Sequence, residues 1–134
     1  MTSTGEWLPK NSAKLNLDTD QLQRLARISA QGKLDTIKTL LTESEQNDLT
    51  QSMPASREQW QAAATPLSDD ELVDLIKTLA IAEMQLPNCN LGAKSVVIHI
   101  HRLLKQRGKA LSKENLYWLK QHSTNRFLPN GPVL

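Results

Sequence analysis

Three stretches of this chain open a helix in nearly the same words: Leu17-Asp18-Thr19-Asp20-Gln21-Leu22, Leu67-Ser68-Asp69-Asp70-Glu71-Leu72 and Leu111-Ser112-Lys113-Glu114-Asn115-Leu116. In each, an Asp or Ser stands where its side-chain oxygen can accept from an orphan backbone N–H of the first turn. The leucine ahead of the cap lies five residues before a second leucine, the spacing of a hydrophobic staple. Asp18 with Gln21 and Ser68 with Glu71 also fit the reciprocal capping box. Acids at Asp20, Asp69, Asp70 and Glu114 suit the positive end of a helix dipole. The starts are 50 and 44 residues apart, so they share a grammar of helix initiation rather than a structural repeat.

Apolar spacing extends these starts into elements. Thr19 to Ala30 is a helix, with Leu22, Leu25, Ala26 and Ile28 largely on one side and Gly32 as its stop. Leu34 to Leu41 reads as a second short helix and Glu43 to Gln51 as a third, opened by Thr42 with Glu45 three residues on. Ser56 to Ala64 is a fourth, carrying Trp60. Asp69 to Gln85 has an apolar face broad enough for a central helix. Lys94 to Arg107, stopped by Gly108, and Lys113 to His122 complete the set. Pro129, Gly131 and Pro132 exclude a helical end to the chain. Trp7-Leu8-Pro9 and Phe127-Leu128-Pro129 are expected to anchor the two polar tails on the bundle.

The expected architecture is therefore all-α, a small single-domain bundle of six to seven short helices with extended N- and C-terminal tails packed on its surface. Residues 1–17 form an arm, 18–92 an acidic helical body, 93–122 a basic helical hairpin and 123–134 a tail. A length of 134 residues suits one domain, and five aromatic residues (three Trp, one Tyr, one Phe) leave a core of Leu, Ile, Val and Ala. One cysteine, Cys89, excludes an intrachain disulfide and a four-cysteine zinc site. The N-terminus lacks the pattern of a signal peptide, and no window reaches the roughly 18 to 20 apolar residues of a spanning helix. A cytoplasmic protein is the expectation.

Charge is divided by position. Residues 93–134 carry eight Lys and Arg against the single acid Glu114, a net of +7, while residues 1–92 carry eight basic residues and thirteen acids, a net of −5. The overall +2 hides this division, which concerns partners and encounter rather than fold.

Candidate chemistry is sparse. Ile98-His99-Ile100-His101 would put both histidines on one face of a strand, but on a helix residues two apart point about 200° apart and cannot share an ion. The helical reading places Val96, Val97, Ile100, Leu103 and Leu104 on one stripe, with Ser95, His99, Arg102 and Gln106 opposite. Cys89 precedes a helix start and lies near Lys94, an arrangement that can lower a thiol pKa, but no local signature surrounds it and an ordinary half-buried thiol is the expectation. Gly92-Ala-Lys-Ser95 lacks the upstream glycine and the buried strand of a phosphate loop. A weaker anion site on Gly92, Lys94 and Ser95 remains, at the free N–H groups of a helix start. No catalytic residue, metal ligand or cofactor is expected.

The favoured function is a non-enzymatic protein-interaction or regulatory module. Arg102, Lys105, Arg107, Lys109, Lys113, Lys120 and Arg126 would meet an acidic protein partner by electrostatic complementarity. The alternative is a nucleic-acid-binding protein, with 94–122 as a helix-turn-helix, Lys113, Asn115 and Tyr117 near the start of its second helix, and a salt slope of about −4.5 for five neutralised phosphates. Opposite charges on body and C-terminal third also permit a homodimer.

Overall fold

The computed structural model describes residues 17–86, 89, 91–125, 128 and 130. The N-terminal anchor Trp7-Leu8-Pro9, most of the C-terminal one, and Arg126 lie outside the described residues. Among the described residues there are seven α-helices and no strand: α1 (Thr19–Ala30), α2 (Ile37–Leu40), α3 (Glu43–Ser52), α4 (Arg57–Ala64), α5 (Asp69–Gln85), α6 (Val96–Gln106) and α7 (Lys113–His122), with 3-10 turns at Leu34–Thr36 and Gly92–Lys94. The fold is a small all-α domain.

The helix starts are made as their residues dictate. Thr42, Ser56 and Ser68 each close a full capping box, with Glu45, Gln59 and Glu71 reaching back to the cap N–H. Asp18 takes the Gln21 N–H, but Gln21 Oε1 is buried without a partner, so only half of that box forms. Gly32 and Gly108 end α1 and α6 at φ 70° and 73°. There the following N–H groups return to Ile28 O and Leu104 O, each at 2.9 Å, a closure that needs a left-handed residue.

Two elements depart from the periodicity. The segment expected as one helix, Leu34 to Leu41, is a 3-10 turn followed by a single α-turn, and Leu41 is already extended. Neither Lys33 nor Thr36 supplies a side-chain cap. Thr36 turns its hydroxyl to Lys33 O instead, and one side of the segment has nothing to cover it, leaving Leu40 42% exposed. The helix expected from Lys94 begins at Val96, because Ser95 is its cap and accepts from Val97 N.

The core is built around α5, which packs on α1, α2, α6 and α7, while α6 also packs on α4. Leu72, Leu75, Ile76, Leu79 and Ala80 fill the interior with Leu22 and Leu25 of α1 and Val97, Ile100 and Leu104 of α6. Burial of such side chains stabilises the fold by about 1.5–3 kcal/mol each before chain entropy is set against it. Hydrogen bonds fix the register: Thr78 Oγ1 reaches Leu25 O at 2.7 Å and Ser29 Oγ donates to Asp74 at 2.8 Å. Leu128, from the expected C-terminal anchor, is half-buried against the core.

Arg107, at the end of α6, clasps the α4–α5 turn. Its guanidinium donates to Thr65 O at 2.7 Å, Leu67 O at 2.9 Å and the Asp69 carboxylate at 3.0 Å. Arg107→Ala is expected to lower stability by about 2 kcal/mol, the cost of orphaned acceptors of which Leu67 O belongs to a buried residue. Urea denaturation measures this. An unchanged midpoint would mean that water replaces the clasp.

Candidate functional site

The residues nominated for an interaction surface separate into three groups. Arg102, Lys105, Lys109, Lys113 and Lys120 are exposed. Lys105 donates to Asn130 Oδ1 at 3.0 Å, a neutral acceptor that leaves its charge in place. Arg107 is committed to its own chain by the clasp above, so it is a structural cation rather than a free one. Arg126 lies outside the described residues.

On α7 the spacing of Lys113, Tyr117 and Lys120 puts them on one helix face. All three are exposed, Tyr117 by 65%. The opposite face is anchored: Leu119 is buried, and Leu116 and Trp118 are half-buried on the core. Trp118 stacks on His122 at 4.2 Å, and the Lys77 ammonium lies 5.4 Å from its ring centroid. The main support of α7 is α5, not α6. Asn115, placed with Lys113 and Tyr117 near the start of the second helix in the nucleic-acid reading, is half-buried, and its backbone N–H binds the Ser112 cap.

The trio proposed to hold an anion does not converge. Ser95 is fully buried, and its hydroxyl donates to the Glu83 carboxyl while accepting from Val97 N. Gly92 O accepts from Asn125 Nδ2 at 3.0 Å. Only Lys94 is exposed. The stripe of α6 expected to lie opposite its apolar face is thus interrupted at Ser95, and burial of Ile98 and His101 wraps the core around most of the helix.

His101 holds the turn after α6. Leu111 N donates to its Nε2 at 3.1 Å, so the ring proton sits on Nδ1 and donates to Asn130 Oδ1, also at 3.1 Å. His99, on a different side of the helix, is half-buried with an unpartnered Nδ1. Burial and the neighbouring Arg102 and Arg57 charges lower its pKa, against a weaker pull from Glu58. Among the described residues no three of His, Cys, Asp and Glu come together as metal ligands.

Cys89 is enclosed more fully than the half-buried thiol expected of it. The thiol is buried, 3.3 Å from Thr50 Oγ1, and burial raises its pKa, with the Glu83 charge pushing the same way. A thiol held protonated in this manner is a poor nucleophile. Glu83, Ser95, Asn125 and Cys89 make a polar cluster that ties α5 to the start of α6, with Cys89 from the connection between them and Asn125 from beyond α7; the sequence pattern assigns none of them this role. Glu83 carried a faint signal, as the one acid in the apolar run Leu79 to Met84.

Among the described residues, side chains line several surface grooves. A groove of about 640 Å³ between α1 and α3 has Leu25, Ile28, Leu41 and Leu49 at its base and charges of both signs at its rim. A second, of about 470 Å³, lies between the α3–α4 connection and the start of α6. No protein-family model matches the chain, and no curated protein or solved structure is significantly similar to it. No described helix is long and apolar enough to cross a membrane.

Proposed function

We propose that the chain is a non-enzymatic interaction module, and that the exposed face of α7 with its neighbouring cations receives an acidic segment of a protein partner. The observation that carries this reading is Tyr117, 65% exposed between Lys113 and Lys120 on a helix anchored from behind. An exposed aromatic on a rigid helix is the type of residue that dominates protein interfaces. Lysines beside it favour encounter with a negative partner and contribute more to rate and specificity than to affinity. Against the nucleic-acid alternative stand the half-buried Asn115 and a second helix that leans on α5 instead of its hairpin partner. Absence of enzymatic activity is part of the proposal. Its support is the high-pKa buried thiol and a Ser95 hydroxyl enclosed beside a carboxyl, neither of which can meet a substrate.

The test uses a variant with Lys109, Lys113 and Lys120 all changed to Glu, leaving the Arg107 clasp intact. Binding of a fluorescein-labelled oligoglutamate peptide is followed by anisotropy at several salt concentrations, beside duplex and single-stranded DNA and RNA. Saturable, salt-sensitive binding of the peptide, lost by at least about tenfold in the variant with helical circular dichroism unchanged, is expected. Tighter binding of nucleic acid, with a log–log salt slope of about −3 or steeper, would replace the proposal with the alternative. Binding of none of these probes at low salt would remove both.

A further inference from the structure

The groove of about 470 Å³ is lined by Arg57, Lys94, His99 and Arg102 together with apolar side chains that include Pro54, Leu91 and Ile98. Its three cations come from three segments: the first turn of α4, the 3-10 turn before α6, and the middle of α6. No carboxylate is among the lining residues. Arg57 leans on Glu58 at 3.3 Å, a pair exposed at the rim, while Lys94 and Arg102 are exposed. Helix α4 is held in place from beneath, because Trp60 Nε1 donates to Ser52 O at 2.9 Å and Gln61 Nε2 to His99 O at 3.0 Å. The helix that carries Arg57 is therefore tied to α3 and α6.

We infer that this groove is a binding site for a small organic phosphate, with the phosphate between Arg57, Lys94 and Arg102 and the organic part against Pro54, Leu91 and Ile98. Guanidinium groups present planar, paired donors that match phosphate oxygens, and a lysine adds a point charge. The groove's volume falls in the range of small-ligand pockets rather than of macromolecular interfaces, and its mixture of apolar wall and convergent polar groups is typical of them. Glu58 offsets Arg57 at the rim, but no carboxylate joins Lys94 and Arg102 in the lining, so positive charge is in excess there. His99 supplies an independent reporter. Burial depresses its pKa most, the Arg102 charge and then the Arg57 charge add to this, and Glu58 opposes them weakly. A phosphate placed among the arginines would offset their part of that pressure, so binding and protonation of His99 favour each other. The inference does not rest on the α7 surface, since Lys109, Lys113 and Lys120 take no part in the groove.

The experiment titrates the full chain with phenyl phosphate, inorganic phosphate and sodium chloride, observing ¹H–¹⁵N correlation spectra and the His99 ring proton shift. Saturable changes confined to the groove residues are expected, tighter for phenyl phosphate than for inorganic phosphate, with the His99 pKa raised on saturation. Arg102→Gln should weaken phenyl phosphate at least about tenfold, and Lys109→Gln should leave it unchanged. Both positions are exposed, so folding is not at issue, and the spectra verify it. Shifts that follow ionic strength alike for phosphate and chloride, or equal affinity in the Arg102→Gln variant, would overturn the site. Equal affinity for phenyl and inorganic phosphate would overturn the role given to the apolar wall.

Discussion

Glu83→Gln is expected to stabilise the protein by about 3 kcal/mol at pH 8 and to change it little at pH 4. Glu83 is 4% exposed, and burial drives its carboxyl from the ordinary 4.5 up to about 7, with the Ser95 and Asn125 side chains pulling the other way. Between those values the native protein holds a proton that the unfolded chain has released. Stability from this group is therefore complete below about 4.5, and it is lost as the pH climbs through about 7. Glutamine keeps the shape and an acceptor for the Ser95 hydroxyl, but it has no charge to strand in the interior. Urea unfolding of both proteins between pH 4 and 8 isolates the effect as their difference. That matters because His99, whose pKa is lowered, contributes the opposite slope. A difference that stays constant across this interval would show that Glu83 has an ordinary pKa.

Trp60→Ala carries the largest expected loss, about 3–5 kcal/mol. The indole is fully buried and is the largest enclosed side chain among the described residues; its ring fills the space between α4 and the core, and its N–H fixes α4 to the end of α3. Against a total stability of about 5–15 kcal/mol, such a loss leaves a marginal fold. Trp60→Phe separates the two contributions: most of the packing remains, Ser52 O loses its donor, and a loss of about 1–3 kcal/mol is expected. Because the α3–α4 connection and Arg57 form one wall of the phosphate groove, Trp60→Phe should also weaken phenyl phosphate binding. Full affinity in that variant would mean that α4 keeps its place without the indole hydrogen bond. Thermal and urea unfolding followed by circular dichroism measure the stability terms.

Helix starts and stops were legible because they depend on neighbours three to five residues away. Ser68 with Glu71 and Ser56 with Gln59 need no tertiary partner to form their caps. Gly32 and Gly108 act through backbone freedom alone. The breadth of the apolar face on α5 likewise announced a central helix, since a helix apolar on most sides must be enclosed. Where a segment was too short to sustain itself, local rules misled: Leu34 to Leu41 has helical spacing but no cap, and nothing encloses Leu40.

The candidate sites were much less legible. Arg107 and Arg102 are equivalent as letters in a basic run, yet one binds three acceptors on the α4–α5 turn and the other stands in a groove. The difference comes from residues roughly 40 positions away, which no local pattern encodes. Ser95 looked like an exposed cap and is an interior one, because the Glu83 carboxyl lies behind it. Cys89 stands near Lys94 in the sequence, yet burial raises its thiol pKa. Arg57 lies in the acidic body, far along the chain from Lys94 and Arg102, so no local pattern joins it to them.

What the sequence determined by itself is the all-α class, nearly every helix boundary and the gathering of positive charge in the C-terminal third. Each follows from short-range backbone chemistry or from composition. The tertiary structure decided which of those charges are free, which polar groups are sealed in the core and which distant side chains share a groove. Burial and electrostatics depend on distances in space, and those exist only once α5 has drawn the other helices around it.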